Sequence, residues 1–168
     1  MRYVLIATLF VLNTFSVLAQ TSTDSLIIAL KSEIQRKDEY VNQRQKRIEK
    51  LHDILRASPH ISIEKQFDIY NGLYHLYKTF IYDSAFKYSQ KLIHTAYLLN
   101  DPQKIAYSRV KLSFILISSG MFKETFDSLK IVSVNTLPDS NKVDYYSLLA
   151  RAYNDLKDYN NDEHYRKI

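Results

Sequence analysis

Three short stretches decide the fold: Ile81-Tyr82-Asp83-Ser84-Ala85, Met121-Phe122-Lys123-Glu124-Thr125 and Asp158-Tyr159-Asn160-Asn161-Asp162. Each places an aromatic residue where a helix–helix turn is expected. In the first two a small residue follows three positions later, and in the third that place is Asp162. Phe122 follows Tyr82 by 40 residues and Tyr159 follows Phe122 by 37. Recurrence at such a period marks stacked repeats, in which each unit buries its apolar face only against its neighbours.

Outward from the turns, apolar residues recur at helical spacing. The helix before the first turn carries Phe67, Tyr70, Leu73, Tyr74 and Tyr77. The second carries Tyr107, Val110, Phe114 and Ile117, with Leu112 and Leu116 widening the apolar face; the third carries Tyr146, Leu149, Ala150 and Tyr153. Beyond the turns the pattern returns in Phe86, Leu92 and Ile93, then in Phe126, Leu129 and Val132. Asp101-Pro102 reads as a cap followed by proline at the first helical position. Gly120 falls where a helix C-terminus needs a left-handed residue, and Pro138-Asp139-Ser140 reads as a break and a cap. With only two Gly and three Pro in 168 residues, tight turns are few and helices long. The expectation is an all-α chain of about three antiparallel helix pairs, at about 62–99, 102–134 and 141–168, the last incomplete, stacked as an α-solenoid.

Ahead of the repeats, residues 1–19 have the layout of a secretory signal. One charge at Arg2 is followed by an apolar run to Leu12 and then by Val17 and Ala19 at the −3 and −1 positions, so cleavage is expected between Ala19 and Gln20. The run is broken by Asn13 and Thr14 and is short for a membrane span. A periplasmic or secreted product follows, tied to a membrane only through an uncleaved signal or a missing C-terminal part. Residues 20–59 then read as one charged amphipathic helix, capped at Asp24-Ser25 and stopped at Ser58-Pro59. Ile27, Ile34, Val41, Ile48 and Leu55 recur every seven residues, but the companion positions read Leu30, Lys37, Arg44 and Leu51. Two roles are open to this thin stripe: packing on the repeats, or self-association.

Composition excludes several chemistries. Without cysteine there is no disulfide, thiolate metal site, cysteine nucleophile or lipid-attachment cysteine. The net charge of +5 owes much to the mixed run from Lys31 to Lys50, which reads as a solvated face and not as a nucleic-acid site. His52, His60, His75, His94 and His164 are scattered, with no pair at the i, i+4 spacing of a helical zinc site. Nucleotide-binding glycine loops and a nucleophile elbow are missing too. No catalytic residue, metal ligand or cofactor is expected.

The repeats resemble the tetratricopeptide repeat. Its first-helix signature is best kept in Tyr146, Leu149, Ala150 and Tyr153. Its turn and second-helix signature is best kept in Gly120, Phe122 and Thr125, with Tyr82 and Ala85 in the first copy. Gly72-Leu73 reverses the family's usual order. Over nearly its whole length the chain also resembles the N-terminal half of a Bacteroidetes family. That likeness rests on Tyr40-Val41, Arg47-Ile48-x-x-Leu51, Tyr82 to Ala85 and Ser118 to Glu124. Members carry periplasmic repeats, then a transmembrane helix and a cytoplasmic domain, thought to be regulatory.

By resemblance to peptide-binding repeats, the inner face would be lined by Tyr70, Tyr74, Tyr77 and Lys78, then Tyr107 and Phe114, then Arg151 and Asn154. Such a tyrosine-rich groove with a few cations suits an extended peptide, unless the first helix fills it. The leading expectation is an exported protein-interaction or sensory module of a membrane-bound regulator. The alternatives are an oligomerising structural protein without a ligand, and an accessory partner in carbohydrate uptake.

Overall fold

The computed structural model describes residues 23–57 and 60–161, and every regular element among them is helical. The expected signal and its cleavage point lie outside the described residues. The chain divides after Arg47 into two compact units.

In the first unit, residues 23–35 form α1, and α2 (Lys37–Ala57) follows after a one-residue turn at Arg36. The helix expected to run unbroken to Ala57 is thus interrupted: the Arg36 N–H is shared between the carbonyls of Ser32 and Glu33, both at 3.2 Å. Around this joint the Arg36 guanidinium bridges Glu33 and Glu39 and lies over the Tyr40 ring. Thr23 is already helical, so Asp24 and Ser25 lie inside α1 and do not start it. Ile27, Ile34 and Val41 are 44, 61 and 39 % exposed, and Leu26, Ile28 and Leu30 lie open as well. Lys37 and Arg44 occupy the companion positions that an apolar seam would need filled by apolar residues.

The second unit begins with the last turns of α2, where Ile48 is buried and Leu51, Ile54 and Leu55 pack on the same core. Four helices follow: α3 (Ile63–Tyr77), α4 (Tyr82–Leu98), α5 (Pro102–Ser118) and α6 (Phe122–Lys130). A 3₁₀ turn at Val134–Thr136 leads into α7 (Asp139–Asn161). Successive helices pack as hairpins, and α7 lies against both α5 and α6. This is the paired-helix stack that the aligned turns predict.

The helix ends explain why the chain turns where it does. Ser62 Oγ accepts from the Lys65 N–H at 3.2 Å to start α3. Asp101 accepts from the N–H groups of Gln103 and Lys104 at 2.9 and 3.0 Å, with Pro102 at the first helical position. Gly120 has φ 71°, and Gly120 and Met121 donate back to the Ile117 and Leu116 carbonyls at 3.0 Å. This is a Schellman closure. A second closes α4, where Asn100 at φ 49° donates to Tyr97 and Asp101 to Ala96; asparagine tolerates this conformation better than other non-glycine residues. A Cβ at Gly120 would meet nothing within 4 Å, so Gly120→Ala should lose only backbone energy. A destabilisation of about 1 kcal/mol is expected in urea melts, with Asn100→Gly neutral or slightly stabilising.

Two apolar clusters hold the unit together, with α5 between them. One joins Ile48, Leu73, Tyr74, Leu92 and Ile115; the other joins Val110, Ile117, Leu129, Leu137, Leu148 and Ala152. This double duty accounts for the wide apolar face of α5. Small residues let the axes approach: Ala85 and Thr125, the equivalent positions after the first two turns, are both 0 % exposed. Buried hydroxyls bond to carbonyls of their own helix, as in Ser108 to Lys104 (2.7 Å), Ser113 to Arg109 (2.9 Å) and Thr125 to Met121 (2.7 Å). None of the three leaves an unpaired polar group in the core.

Gly72 explains the reversed glycine–leucine order. A Cβ there would lie 3.0 Å from Leu51 Cδ1, so the missing side chain lets the end of α2 sit close on α3. Alanine brings helix propensity of about 0.8–1 kcal/mol but needs Leu51 to shift. Gly72→Ala is therefore expected to be near neutral. Gly72→Leu should loosen the end of α2, seen as faster amide exchange from Ile48 to Ala57.

The third repeat departs from expectation. α7 runs through Asp158, Tyr159 and Asn160 without a turn. No glycine, proline or positive φ occurs between Asp139 and Asn161 to stop it, and Tyr159 packs on Phe122 at 5.6 Å between ring centroids. The phase of α7 also differs. Leu148 and Ala152 are buried, whereas Tyr146 and Tyr153 of the repeat signature are 58 and 61 % exposed. Leu149 and Tyr153 line a shallow cavity with Phe126 and Leu129 of α6. Tyr153 leans on Phe126 of α6, at 4.9 Å between ring centroids.

Candidate binding groove

Alternate helices α3, α5 and α7 bring one side chain after another to the same concavity. α3 contributes Tyr74 and Lys78, α5 contributes Val110, Lys111 and Phe114, and α7 contributes Asp144, Ser147, Leu148 and Arg151. The cavity measures about 260 Å³. Its floor is apolar and its rim carries three cations against one carboxylate.

The rim is organised around Phe114. Lys78 Nζ lies 5.6 Å from the ring centroid and the Arg151 guanidinium carbon 5.8 Å. Lys78 follows the last turn of α3, where its backbone N–H bonds the Tyr74 carbonyl. A cation there is favoured by the helix dipole. Arg151 is held to Asp155 one turn on at 3.1 Å and reaches Ser118 Oγ at 3.5 Å. Lys111 is committed differently: it pairs with Asp144 at 3.1 Å and lies over Tyr107 at 4.7 Å.

Below the rim the polar groups are fixed. Tyr74 donates to the Lys111 carbonyl at 3.1 Å, and Tyr107 donates to Asn71 Oδ1 at 2.9 Å. Burial pushes the Tyr74 phenol well above its ordinary value, and burial raises Tyr107 likewise. Both therefore stay neutral donors. His75 lies 3.3 Å from the Tyr107 hydroxyl. Its pKa is lowered, first by burial and then by Lys78 and Lys111, with Asp144 opposing. The sign follows directly: the unfolded chain takes up a proton at His75 before the folded one does. Stability from this group is thus present above the ordinary histidine range and lost as pH falls through it. His75→Gln should flatten the pH dependence of the melting temperature between about pH 7 and 5.

Of the residues expected to line a groove, Tyr74, Lys78, Phe114 and Arg151 meet at this cavity, and Tyr107 stands behind it through Lys111. Tyr70 and Tyr77 do not line it. They face Tyr88 of α4, at 6.0 Å and, stacked, at 5.7 Å between centroids, and Tyr88 in turn contacts His52 of α2. At about 100° per residue Lys78 is turned roughly 80° from Tyr70, so one helix serves both faces. Asn154 is exposed on α7 away from the cavity. The end of α2 packs through Ile48, Leu51 and Leu55 on the core around Leu73 and Leu92, and none of its residues lines the groove.

Lys111, Asp144 and Ser147 escape a reading based on aromatics. Asp144, Ser147, Leu148 and Arg151 do stand at i, i+3, i+4 and i+7, a stripe visible once Leu148 sets the phase of α7.

No curated protein and no solved structure matches the chain at significant similarity. One family does match, described as the SusR N-terminal TPR domain, over residues 34–168. That span takes in α3 to α7, and thus every helix that lines the groove. With its paired helices and its buried small residues after the turns, the chain belongs to the SusR N-terminal TPR domain family.

Proposed function

We propose that this chain is the exported recognition module of a SusR-like regulator, and that it takes up an extended protein segment in the groove between α3, α5 and α7. The observation that carries the reading is the convergence of Lys78, Phe114 and Arg151 from three different helices on one cavity. Tetratricopeptide repeats serve as scaffolds for protein contacts, and a rigid aromatic ring with flanking cations gives contact area at small entropic expense. Export rests on the Arg2-to-Ala19 layout. N-terminal sequencing of the secreted chain is expected to begin at Gln20, and retention of Met1 in a cytoplasmic product would remove that part of the proposal.

Selection of random dodecapeptides on the immobilised full chain tests the groove. Enriched peptides should lose binding to Phe114→Ala but not to a convex-face variant such as Lys87→Ala. Selection of nothing, or of peptides indifferent to Phe114, would remove the groove from the account.

A second reading is favoured by one observation. The apolar residues of α1 are open, with Leu26 and Ile28 each 68 % exposed. Self-association through this stripe would cover them. Light scattering on the full chain is then expected to show a dimer or larger species that reverts to monomer in Ile34→Lys/Val41→Lys. A monomeric wild type would exclude this reading.

A further inference from the structure

We infer that α1 of one copy of this chain docks in the cleft between α6 and α7 of a second copy, so that self-association joins unlike surfaces. This rests on the self-association reading above and names the surface that α1 meets. Phe126, Leu129 and Lys130 of α6 and Tyr145, Leu149 and Tyr153 of α7 line a cavity of about 490 Å³. No residue of this cleft lines the groove between α3, α5 and α7. Its walls are aromatic and aliphatic, and its one charge is Lys130. A cleft of this kind between two helices takes the apolar face of a third.

What α1 offers matches the cleft in spacing. Tyr145, Leu149 and Tyr153 stand at i, i+4 and i+8 along α7, and Leu26, Leu30 and Ile34 stand at the same interval along α1. At about 1.5 Å per residue, both rows are about 12 Å long. Rows of this i, i+4 kind interdigitate in the commonest packing of two helices. Leu26, Leu30 and Ile34 are 68, 61 and 61 % exposed, and Tyr153 is 61 % exposed, so both rows stand open. Charge favours the same match: α1 carries Asp24 and Glu33 against Lys31, an acidic helix for a basic rim. A seam of α1 on α1 would set two acidic helices together, and Lys37 and Arg44 keep it from extending along α2. Each copy has one α1 and one cleft, so two copies that exchange α1 close as a pair.

The two halves of the contact can be broken separately and then combined. Light scattering on the full chain at high micromolar concentration is expected to give wild type the mass of a pair. Leu30→Lys/Ile34→Lys, in α1, and Tyr153→Lys, in the cleft, should each halve that mass to a monomer. An equal mixture of the two variants should return a species of two chains, because one keeps its cleft and the other its α1. All three substituted side chains are exposed, so the circular-dichroism spectra of both variants should match wild type. Disulfide trapping is the second measurement, since the chain has no cysteine of its own. Oxidation of Leu30→Cys chains mixed with affinity-tagged Leu149→Cys chains is expected to link unlike chains in preference to like ones.

Association that survives Tyr153→Lys, or Leu30→Cys chains that link to one another, overturns the docking and leaves self-association through α1 alone. A mixture of the two variants that stays monomeric overturns the docking as well. Wild type that remains a monomer at every concentration overturns the docking and the self-association reading together.

Discussion

Leu73→Ala is expected to destabilise the repeats by about 2–5 kcal/mol, read as a fall in melting temperature of roughly 10 °C. Leu73 is 0 % exposed and belongs to the cluster that joins α2, α3, α4 and α5. Removing its branched end leaves a cavity that four helices cannot close by a single shift, so the lost contacts add to the lost burial. The control is Leu98→Ala on α4. Leu98 is 55 % exposed, and its truncation should stay within about 0.5 kcal/mol. Equal melting of the two variants in calorimetry would place Leu73 outside the core and move the phase of α3.

Ala85→Leu and Thr125→Leu form the second large expectation, at about 1–3 kcal/mol each. Both positions are fully buried just after a turn, where one helix passes close to the next. Ala85→Leu adds three carbons, and Thr125→Leu adds two while losing the hydroxyl bonded to the Met121 carbonyl; neither has space without driving the hairpin apart. The two losses should be similar, because the positions are equivalent in successive repeats. They should add, because Ala85 belongs to the cluster around Leu92 and Thr125 lies on α6 beside the cluster around Leu129. A mild effect at one site and a severe one at the other, in denaturant melts, would mean that the repeats do not share a packing scheme.

Helix pairing was legible because its signals are local. Turns at Tyr82 and Phe122, the Asp101-Pro102 start and the left-handed Gly120 each follow from one or two residues. Spacing picked out the buried Phe67, Leu73, Tyr74, Leu92, Val110, Leu116, Ile117 and Leu129 but missed Ile69, Tyr88 and Ile115. The misreadings arose where a helix has more than one neighbour. Tyr70 and Tyr77 had the spacing of groove residues, yet α3 turns that edge to Tyr88, and only the tertiary arrangement decides which edge meets which neighbour. On α7 the apolar signature Tyr146, Leu149, Ala150 and Tyr153 missed the buried Leu148 and Ala152, and Asn154, expected in the groove, is exposed away from it. An aromatic at Tyr159 suggested a third turn, but without glycine, proline or a strong cap the helix simply continues. At the N-terminus the seven-residue recurrence left two roles open, packing on the repeats or self-association, because two of its companion positions, Lys37 and Arg44, are basic.

The groove itself was half legible. Tyr74, Lys78, Phe114 and Arg151 came from resemblance to repeats that bind peptides, and they do converge. Lys111 and Asp144 are polar partners across two helices 33 residues apart in sequence, and no local pattern announces such a pair.

Recognition through the α3–α5–α7 groove is tested most directly by site-specific photo-crosslinking in the native cell. A photoreactive phenylalanine analogue would be placed at Ser147 in the groove and, in a separate strain, at His94 on α4. The account predicts a discrete crosslinked partner from position 147, weakened by Lys78→Gln/Arg151→Gln, and none from position 94. Crosslinking from 94 or from Ile28 on α1, with nothing at 147, would contradict it.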